Sequence, residues 1–123
     1  MKRIVILARM GVWLSVLGII VLSVVPGNMR PDILGSKTVE HFVAYFIAGG
    51  LLAVGYLRPV QWLSGGALFV ICAGALESIQ LWIPGRIASA SDFASSTLGA
   101  WIGVLFIVVA RYARKRMLVV SYE

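Results

Sequence analysis

Four long runs without a charged residue most restrict how this chain folds. Each is 16 or 18 residues long, and they cover residues 10–25, 42–57, 59–76 and 93–110. With a flanking turn, each approaches the ~20 residues that a helix rising ~1.5 Å per residue needs to cross a ~30 Å hydrocarbon layer. The sequence therefore predicts four membrane-spanning helices, over residues 4–25, 39–57, 60–83 and 93–112.

The composition agrees with a membrane location. The chain has 123 residues, 60% of them hydrophobic, and its mean hydropathy is +0.95. A soluble domain of this size leaves much of its surface in water and cannot bury so much apolar area. The first span lacks a small-x-small cleavage site at its end, so we expect it to be retained. The sequence thus predicts one all-α membrane domain over residues 1–123, a four-helix bundle.

The positive charge predicts the orientation of the bundle. The net charge is +6, but no basic face interleaved with aromatic residues is present, so we expect no nucleic-acid partner. With four spans both termini lie on one side, and the positive-inside rule makes that side cytoplasmic. The cations expected on that side are Lys2, Arg3, Arg9, Arg58, Arg111, Arg114, Lys115 and Arg116. Those expected on the opposite side are Arg30, Lys37 and Arg86.

Polar residues inside the spans fall in only one leaflet. The second span runs inward and begins with His41 and Tyr45, whereas the third runs outward and ends with Glu77 and Gln80. Glu77 lies seven residues before Pro84, or ~10 Å along a helix. A charged side chain at mid-bilayer costs at least ~2.5–3.5 kcal/mol. We therefore expect Glu77 to be paired, protonated or in contact with a wet cavity.

The spacing of these residues predicts a shared pocket. His41 and Tyr45 are four residues apart, Glu77 and Gln80 are three apart, and each pair shares one helix face. The break at residues 58–59 has almost no length, so we expect the second and third spans to form a tight antiparallel hairpin. If the two faces meet across this hairpin, they form a hydrogen-bonded cluster beneath the loop at 84–92. The predicted ligand-binding residues are His41, Tyr45, Glu77, Gln80, Arg86 and Asp92.

Several of these residues also have a purely structural interpretation. Glu77 could form an ion pair with Arg86 that holds the third and fourth spans together. Asp92 could be a helix N-cap that accepts a backbone N–H at Ser95 or nearby. His41 could be an interfacial histidine bonded to a neighbouring carboxylate or carbonyl. These alternatives stay open on the sequence alone.

Three of the residues are candidates for acid–base catalysis: His41, Glu77 and Asp92. Histidine and carboxylate side chains are also common metal ligands. However, one histidine and two acids that are distant in sequence are a weak pattern, so we expect no metal and no cofactor. Glu40 points about 100° away from His41 on a helix of ~3.6 residues per turn. We expect it to pair with Lys37 at the headgroup level.

Gly99 and Gly103 form a GxxxG pattern in the fourth span. Small residues at this spacing let two membrane helices approach closely. We expect the pattern to serve packing within the chain, and contact with a helix of another protein is the alternative.

The segments that carry these residues resemble the VanZ-like family of membrane proteins. "EHFVAYFIAGGLL" (40–52) is similar to its His-Phe…Tyr segment, "GALESIQLWIPGR" (74–86) to its Glu-x-x-Gln…Pro-Gly-Arg segment, and "SDFASSTLGAWIG" (91–103) to its Asp…Gly segment. Order and spacing match over residues 36–103. Two positions depart from the pattern: Ser36-Lys37-Thr38 replaces an Asp-Lys pair, and Ser96 replaces an Asn. The first departure argues against a mechanism that needs the additional acid.

The resemblance implies a multi-pass protein of the bacterial cytoplasmic (inner) membrane with both termini in the cytoplasm. The family is named for a protein that confers low-level resistance to the glycopeptide teicoplanin, so a relation to antibiotic resistance is implied as well. The first hypothesis is a cell-envelope protein that binds or modulates a membrane lipid or lipid-linked cell-wall precursor. One alternative is an intramembrane acid–base enzyme acting on an envelope lipid or glycan. Another is a structural assembly partner of an envelope complex.

Overall fold

The computed structural model describes residues 1–120. All regular secondary structure in this range is helical. A short 3₁₀ turn at Gly27–Met29 follows the first helix. All four long helices in this range are long and apolar enough to cross a membrane, which confirms the predicted all-α class. The helices are α1 (Lys2–Val24), α2 (Lys37–Gly55), α3 (Pro59–Gln80) and α4 (Ala90–Val120).

Three helix ends differ from the prediction by three residues or more: the end of α3 and both ends of α4, which begins at Ala90 instead of 93. α3 ends at Gln80 rather than at 83, because the N–H groups of Leu81 and Trp82 donate to carbonyls three residues back and tighten the chain into a turn. α4 continues to Val120 instead of ending at 112. Its 31 residues span roughly 46 Å at ~1.5 Å each, so its last turns extend beyond a ~30 Å hydrocarbon layer.

The most extensive helix contact is between α2 and α4, and the sequence neighbours α2 and α3 touch much less. A Cβ added to Gly99 would lie 2.4 Å from the Phe42 carbonyl oxygen, and one added to Gly103 would lie 2.2 Å from that of Phe46. The GxxxG face of α4 therefore packs on α2 within the chain. The prediction of a tight α2–α3 pairing was wrong, because α4 offers the closer backbone approach.

The apolar core forms along the same interface. Ala48, Ala100 and Val104 are fully buried there. Tyr45 is also part of this core and meets Phe69 edge to face, with ring centroids 6.2 Å apart. The outward faces carry large exposed apolar side chains, as expected for helices that are solvated by lipid.

The two longer loops are joined at one end of the bundle. The Gly27 N–H donates to the Pro84 carbonyl at 3.1 Å, and a Cβ on Gly27 would collide with the Gly85 carbonyl. Gly85 itself has φ +72°, a conformation that favours glycine. The Arg86 guanidinium donates to the Val25 and Leu22 carbonyls at the end of α1. The two loops, residues 25–36 and 81–89, therefore form one loop layer. This loop layer covers the beginnings of α2 and α4 and the end of α3.

Candidate functional site

A polar cluster lies under this loop layer, where α2, α3 and α4 meet. It is centred on the ammonium of Lys37, which lies 2.8 Å from Asp92 Oδ2, 3.1 Å from Gln80 Oε1 and 2.7 Å from the Ile87 carbonyl oxygen. These three acceptors match the three donors of a lysine. The polar cluster comprises Lys37, Thr38, His41, Glu77, Gln80, Asp92 and Ser96.

Asp92 is fixed from two sides and is 2% exposed. Its Oδ2 faces Lys37, and its Oδ1 accepts a hydrogen bond from Thr38 Oγ1 at 2.7 Å. Its side chain therefore joins α4 to α2 instead of capping α4. The Ser95 hydroxyl, near the predicted cap, donates to the Thr38 carbonyl at 2.6 Å. The N-cap interpretation of Asp92 is replaced by an interhelical ion pair.

His41 uses one ring nitrogen for two contacts. Its Nδ1 lies 3.2 Å from Ser96 Oγ and 3.7 Å from Glu77 Oε1. A serine–histidine–acid relay needs the serine and the acid on different ring nitrogens. The arrangement therefore does not match nucleophilic catalysis by Ser96, and it leaves His41 and Glu77 as an acid–base pair.

Glu77 is buried, and its two carboxylate oxygens differ. Oε2 accepts the Ser89 N–H at 2.9 Å, whereas Oε1 has no hydrogen-bond partner among residues 1–120. On the same helix face, the Gln80 Nε2 is also unpartnered within that range. Buried polar atoms are nearly always satisfied by protein, water or ligand. The two atoms thus mark the place where the cluster receives a further group.

The charges of the cluster do not cancel. Lys37 contributes one positive charge, while Glu77 and Asp92 contribute two negative charges when ionised. With His41 neutral, one negative charge remains in a largely dehydrated site, where an uncompensated charge is costly. The cluster is therefore suited to a proton, a cation or a ligand that donates hydrogen bonds.

Four of the six predicted site residues meet here: His41, Glu77, Gln80 and Asp92. The ligand atoms of His41, Glu77 and Asp92 lie within 4.8 Å of one another, although the two acids are 15 residues apart in the sequence. Tyr45 is instead buried in the apolar core with Phe69, where it also lines a cavity between α1 and α2.

Arg86 is placed differently from both interpretations of it. Its Nε donates to the Val25 carbonyl at 2.8 Å and its Nη2 to that of Leu22, so it holds the end of α1 instead of pairing with Glu77. Burial lowers the pKa of the Arg86 guanidinium below its ordinary value, and the nearby charge of Arg30 lowers it further. Two of its five N–H donors are thus used by backbone carbonyls at the end of α1.

Glu40 also has a different partner from the predicted Lys37. It forms an ion pair with Arg30 and accepts the N–H groups of Ile33 and Leu34 at 2.7 and 3.0 Å. These bonds fold the segment between α1 and α2 over the start of α2. Lys37 is thereby left for Asp92.

Sequence reasoning missed Lys37, Thr38 and Ser96 as cluster members. The helical spacing contained the necessary information, because Lys37 and Thr38 precede His41 by four and three residues, and Ser96 follows Asp92 by four. These intervals place each of them on the face already assigned to a candidate.

Two cavities flank the cluster. One, of about 450 Å³, lies between α1 and α2 under residues 30–34, and its outer end is lined by Arg30, Glu40 and His41. The other, of about 310 Å³, lies between α3 and the start of α4 and is lined by Glu77 and Ser89. His41 thus lines one cavity and Glu77 the other, and their side chains approach to 3.7 Å.

Comparison with known proteins adds no family or fold assignment. No protein-family model, no curated protein and no solved structure matches the chain. What the site does is therefore inferred from the polar cluster and the two cavities.

Proposed function

We propose that this protein is a membrane protein of the bacterial cell envelope that binds or modulates an amphiphile, either a lipid or a lipid-linked cell-wall precursor. The observation that carries this proposal is the 450 Å³ cavity between α1 and α2. The apolar chain of the amphiphile would lie against the two helices. The headgroup of the amphiphile would reach His41 at the end of the cavity that lies near the loops. The resemblance to VanZ-like proteins over residues 36–103 supports the same assignment.

The lining of the cavity fits an amphiphile. Gly18 and Ile19 of α1 face Ala44 and Ile47 of α2 across the apolar part. The charged residues of the lining, Arg30 and Glu40, are both near the loop layer. Ligand sites of this kind are mostly apolar, with a few placed polar groups that fix the orientation.

Arg30 takes the role that the sequence suggested for Arg86. Its Nη2 pairs with Glu40, but a guanidinium carries five N–H donors in a fork that suits phosphate. Arg30 lines the cavity, so the remaining donors are available to an anionic headgroup. His41 lines the same cavity and contacts Glu77, which would couple headgroup binding to the buried cluster.

The test is native mass spectrometry of the protein released in detergent, to identify and quantify a co-purified lipid. Ala44→Phe fills the cavity and should reduce bound lipid at least tenfold. Arg30→Gln should reduce only lipids with anionic headgroups. Ala75→Phe, at an exposed position on α3 outside the cavity lining, is the matched control and should retain the lipid. Equal lipid occupancy in Ala44→Phe and Ala75→Phe would remove the proposal.

A second candidate function is an intramembrane acid–base enzyme acting on an envelope lipid or glycan. It is favoured by the 3.7 Å approach of His41 Nδ1 to the unpartnered Oε1 of Glu77, since a buried carboxylate next to an imidazole can move protons. Purified protein incubated with lipid-linked substrates should then show turnover with a bell-shaped pH profile. Reversible binding without product would argue against it.

A further inference from the structure

We infer that His41, Glu77 and Asp92 form a binding site for a divalent transition-metal ion of the zinc class. Each residue offers one ligand atom, and these atoms lie within 4.8 Å of one another. The three side chains come from α2, α3 and α4, so the ion would join three helices. The inference goes beyond lipid binding and does not depend on it, because metal binding is measurable without lipid.

An independent observation points into this site. Glu77 is 8% exposed, and its Oε1 has no hydrogen-bond partner anywhere in the part of the chain that the structure describes. The other oxygen is held by the Ser89 N–H, so the carboxylate is oriented with Oε1 toward His41. A buried carboxylate oxygen aimed at an imidazole nitrogen suits a cation between them.

The distance between His41 and Glu77 fits a shared metal ion better than a direct hydrogen bond. His41 Nδ1 and Glu77 Oε1 are 3.7 Å apart, which is too long for a hydrogen bond. Two ligand atoms at about 2.0–2.1 Å from a tetrahedral zinc ion lie about 3.4 Å apart. A shift of a few tenths of an ångström would therefore bring both atoms into coordination, with Nδ1 exchanging its contact with Ser96 Oγ for the metal ion.

Asp92 carries the supporting bonds that ligating carboxylates usually have. Its two oxygens each accept one bond, from Lys37 and from Thr38, and a carboxylate has about four lone-pair sites. Two of these sites remain, and a metal can use one of them, while Lys37 and Thr38 fix the orientation of the carboxylate, as outer-shell groups do in metal sites. The divalent ion would change the net charge of the cluster from −1 to +1 with His41 neutral, which favours an anionic or hydroxide fourth ligand.

The donor set selects the class of metal. Imidazole nitrogen and carboxylate oxygen are both ligand types of zinc, and three protein ligands with a fourth position left for water or ligand are the ligand number of catalytic zinc sites. Magnesium prefers six oxygen ligands in a near-ideal octahedron and is poorly served by an imidazole. We therefore expect Zn²⁺ to bind more tightly than Mg²⁺ and Mn²⁺.

The experiment uses the full chain in detergent, without an affinity tag, after removal of metal with a chelator. Zn²⁺ is added, free ion is removed by desalting, and zinc per chain is measured by mass spectrometry of the element. We expect about one ion per chain in the wild type and an affinity at least tenfold lower in Glu77→Gln and His41→Ala. Asp32→Asn removes a carboxylate that lies outside both cavities and keeps an oxygen for the Gly35 N–H, so this variant should bind zinc as the wild type does.

Each result of this experiment either supports or overturns the inference of a metal site. A wild type that retains no zinc overturns the inference, as does equal binding by Glu77→Gln, which would show an adventitious ion only. Tighter binding of Mn²⁺ than Zn²⁺ overturns the assignment of the metal class. Glu77→Gln preserves the size of the side chain, so it remains decisive if His41→Ala does not fold. Zinc should also raise the melting temperature of the wild type and leave that of Glu77→Gln unchanged. Zinc binding without a bound lipid, or the reverse, separates this inference from the proposed function.

Discussion

The two acids of the polar cluster are held in different ways. Asp92 shares its charge with Lys37 and has a hydrogen bond on each oxygen. Glu77 receives one backbone N–H and lies near an imidazole that is too distant to bond. The first arrangement is that of a structural ion pair, and the second is that of a group kept available. Substitutions at the two positions should therefore have opposite effects on stability.

Asp92→Asn should destabilise the protein strongly. The substitution removes the charge that faces the ammonium of Lys37, whose side chain is 25% exposed. Breaking a buried pair from one side costs about 3–5 kcal/mol, and we expect about 2–4 kcal/mol here because water reaches Lys37 in part. Thermal unfolding in detergent would measure the loss.

The double substitution Lys37→Met with Asp92→Asn is the control for this loss. It removes both charges, so it should recover at least half of the stability lost in Asp92→Asn. A double variant that is no more stable than Asp92→Asn would show that the ion pair is not the source of the effect.

Glu77→Gln should leave the metal-free protein at least as stable as the wild type, and we expect a gain of about 1 kcal/mol. The glutamine still accepts the Ser89 N–H, while a buried charge without a full partner disappears. Thermal unfolding after chelation measures the change, and headgroup or zinc binding should be lost in parallel. A large loss of stability would instead support the structural assembly interpretation, in which the cluster only pins the helices.

At the scale of helices, the packing of α4 on α2 determines where the site forms. The near contact of Gly99 with the Phe42 backbone is one residue from His41 along α2. The same contact brings Ser96, one turn earlier on α4, to His41 Nδ1. The close approach of these two helices therefore positions the five members of the polar cluster that α2 and α4 carry.

Gly99→Ala should destabilise the bundle by about 2 kcal/mol, within the range for inserting a methyl group into a packed interface. The new Cβ would lie 2.4 Å from the Phe42 carbonyl oxygen, so the helices must separate. Gly18→Ala on α1 is the matched control, because no atom lies within 4 Å of its added Cβ. Thermal unfolding of both variants tests the idea, and equal melting temperatures would contradict it.

Arg86→Ala should loosen the end of α1. The Val25 and Leu22 carbonyls lose their side-chain donors, and helix ends without such partners fray. We expect amide hydrogen exchange of residues 21–25 to accelerate about tenfold, with α4 unaffected.

Arg9→Ala provides the comparison for this exchange experiment. Arg9 donates to the Gly55 carbonyl at 2.9 Å and lies over the Tyr56 ring, at the opposite end of α1. Its removal should accelerate exchange near residue 56 and leave 21–25 unchanged. The same exchange pattern in both variants would rule out a local role for Arg86.

For the molecule as a whole, hydropathy was sufficient to predict the helices. A membrane-spanning segment must form its backbone hydrogen bonds internally and keep its polar groups out of contact with lipid. The convergence of His41, Glu77, Gln80 and Asp92 followed from their placement in one leaflet. Tyr45 and Arg86 could not be placed this way, since depth in the membrane does not say which neighbour a side chain faces. That information depends on helix packing, which chain order did not reveal for α2 and α4.

The loop layer with residues 84–92 should face outward, and both ends of the chain should face the cytoplasm. Eight cations lie at the end of the bundle that carries the termini and three at the other, which the positive-inside rule translates into orientation. In a Cys72→Ala background, Ile87→Cys, at an 80% exposed position, should react with a membrane-impermeant maleimide in intact cells. Arg114→Cys, in the last turns of α4, should react only after permeabilisation. The opposite pattern would place the polar cluster in the cytoplasmic leaflet and remove an extracytoplasmic headgroup as its ligand.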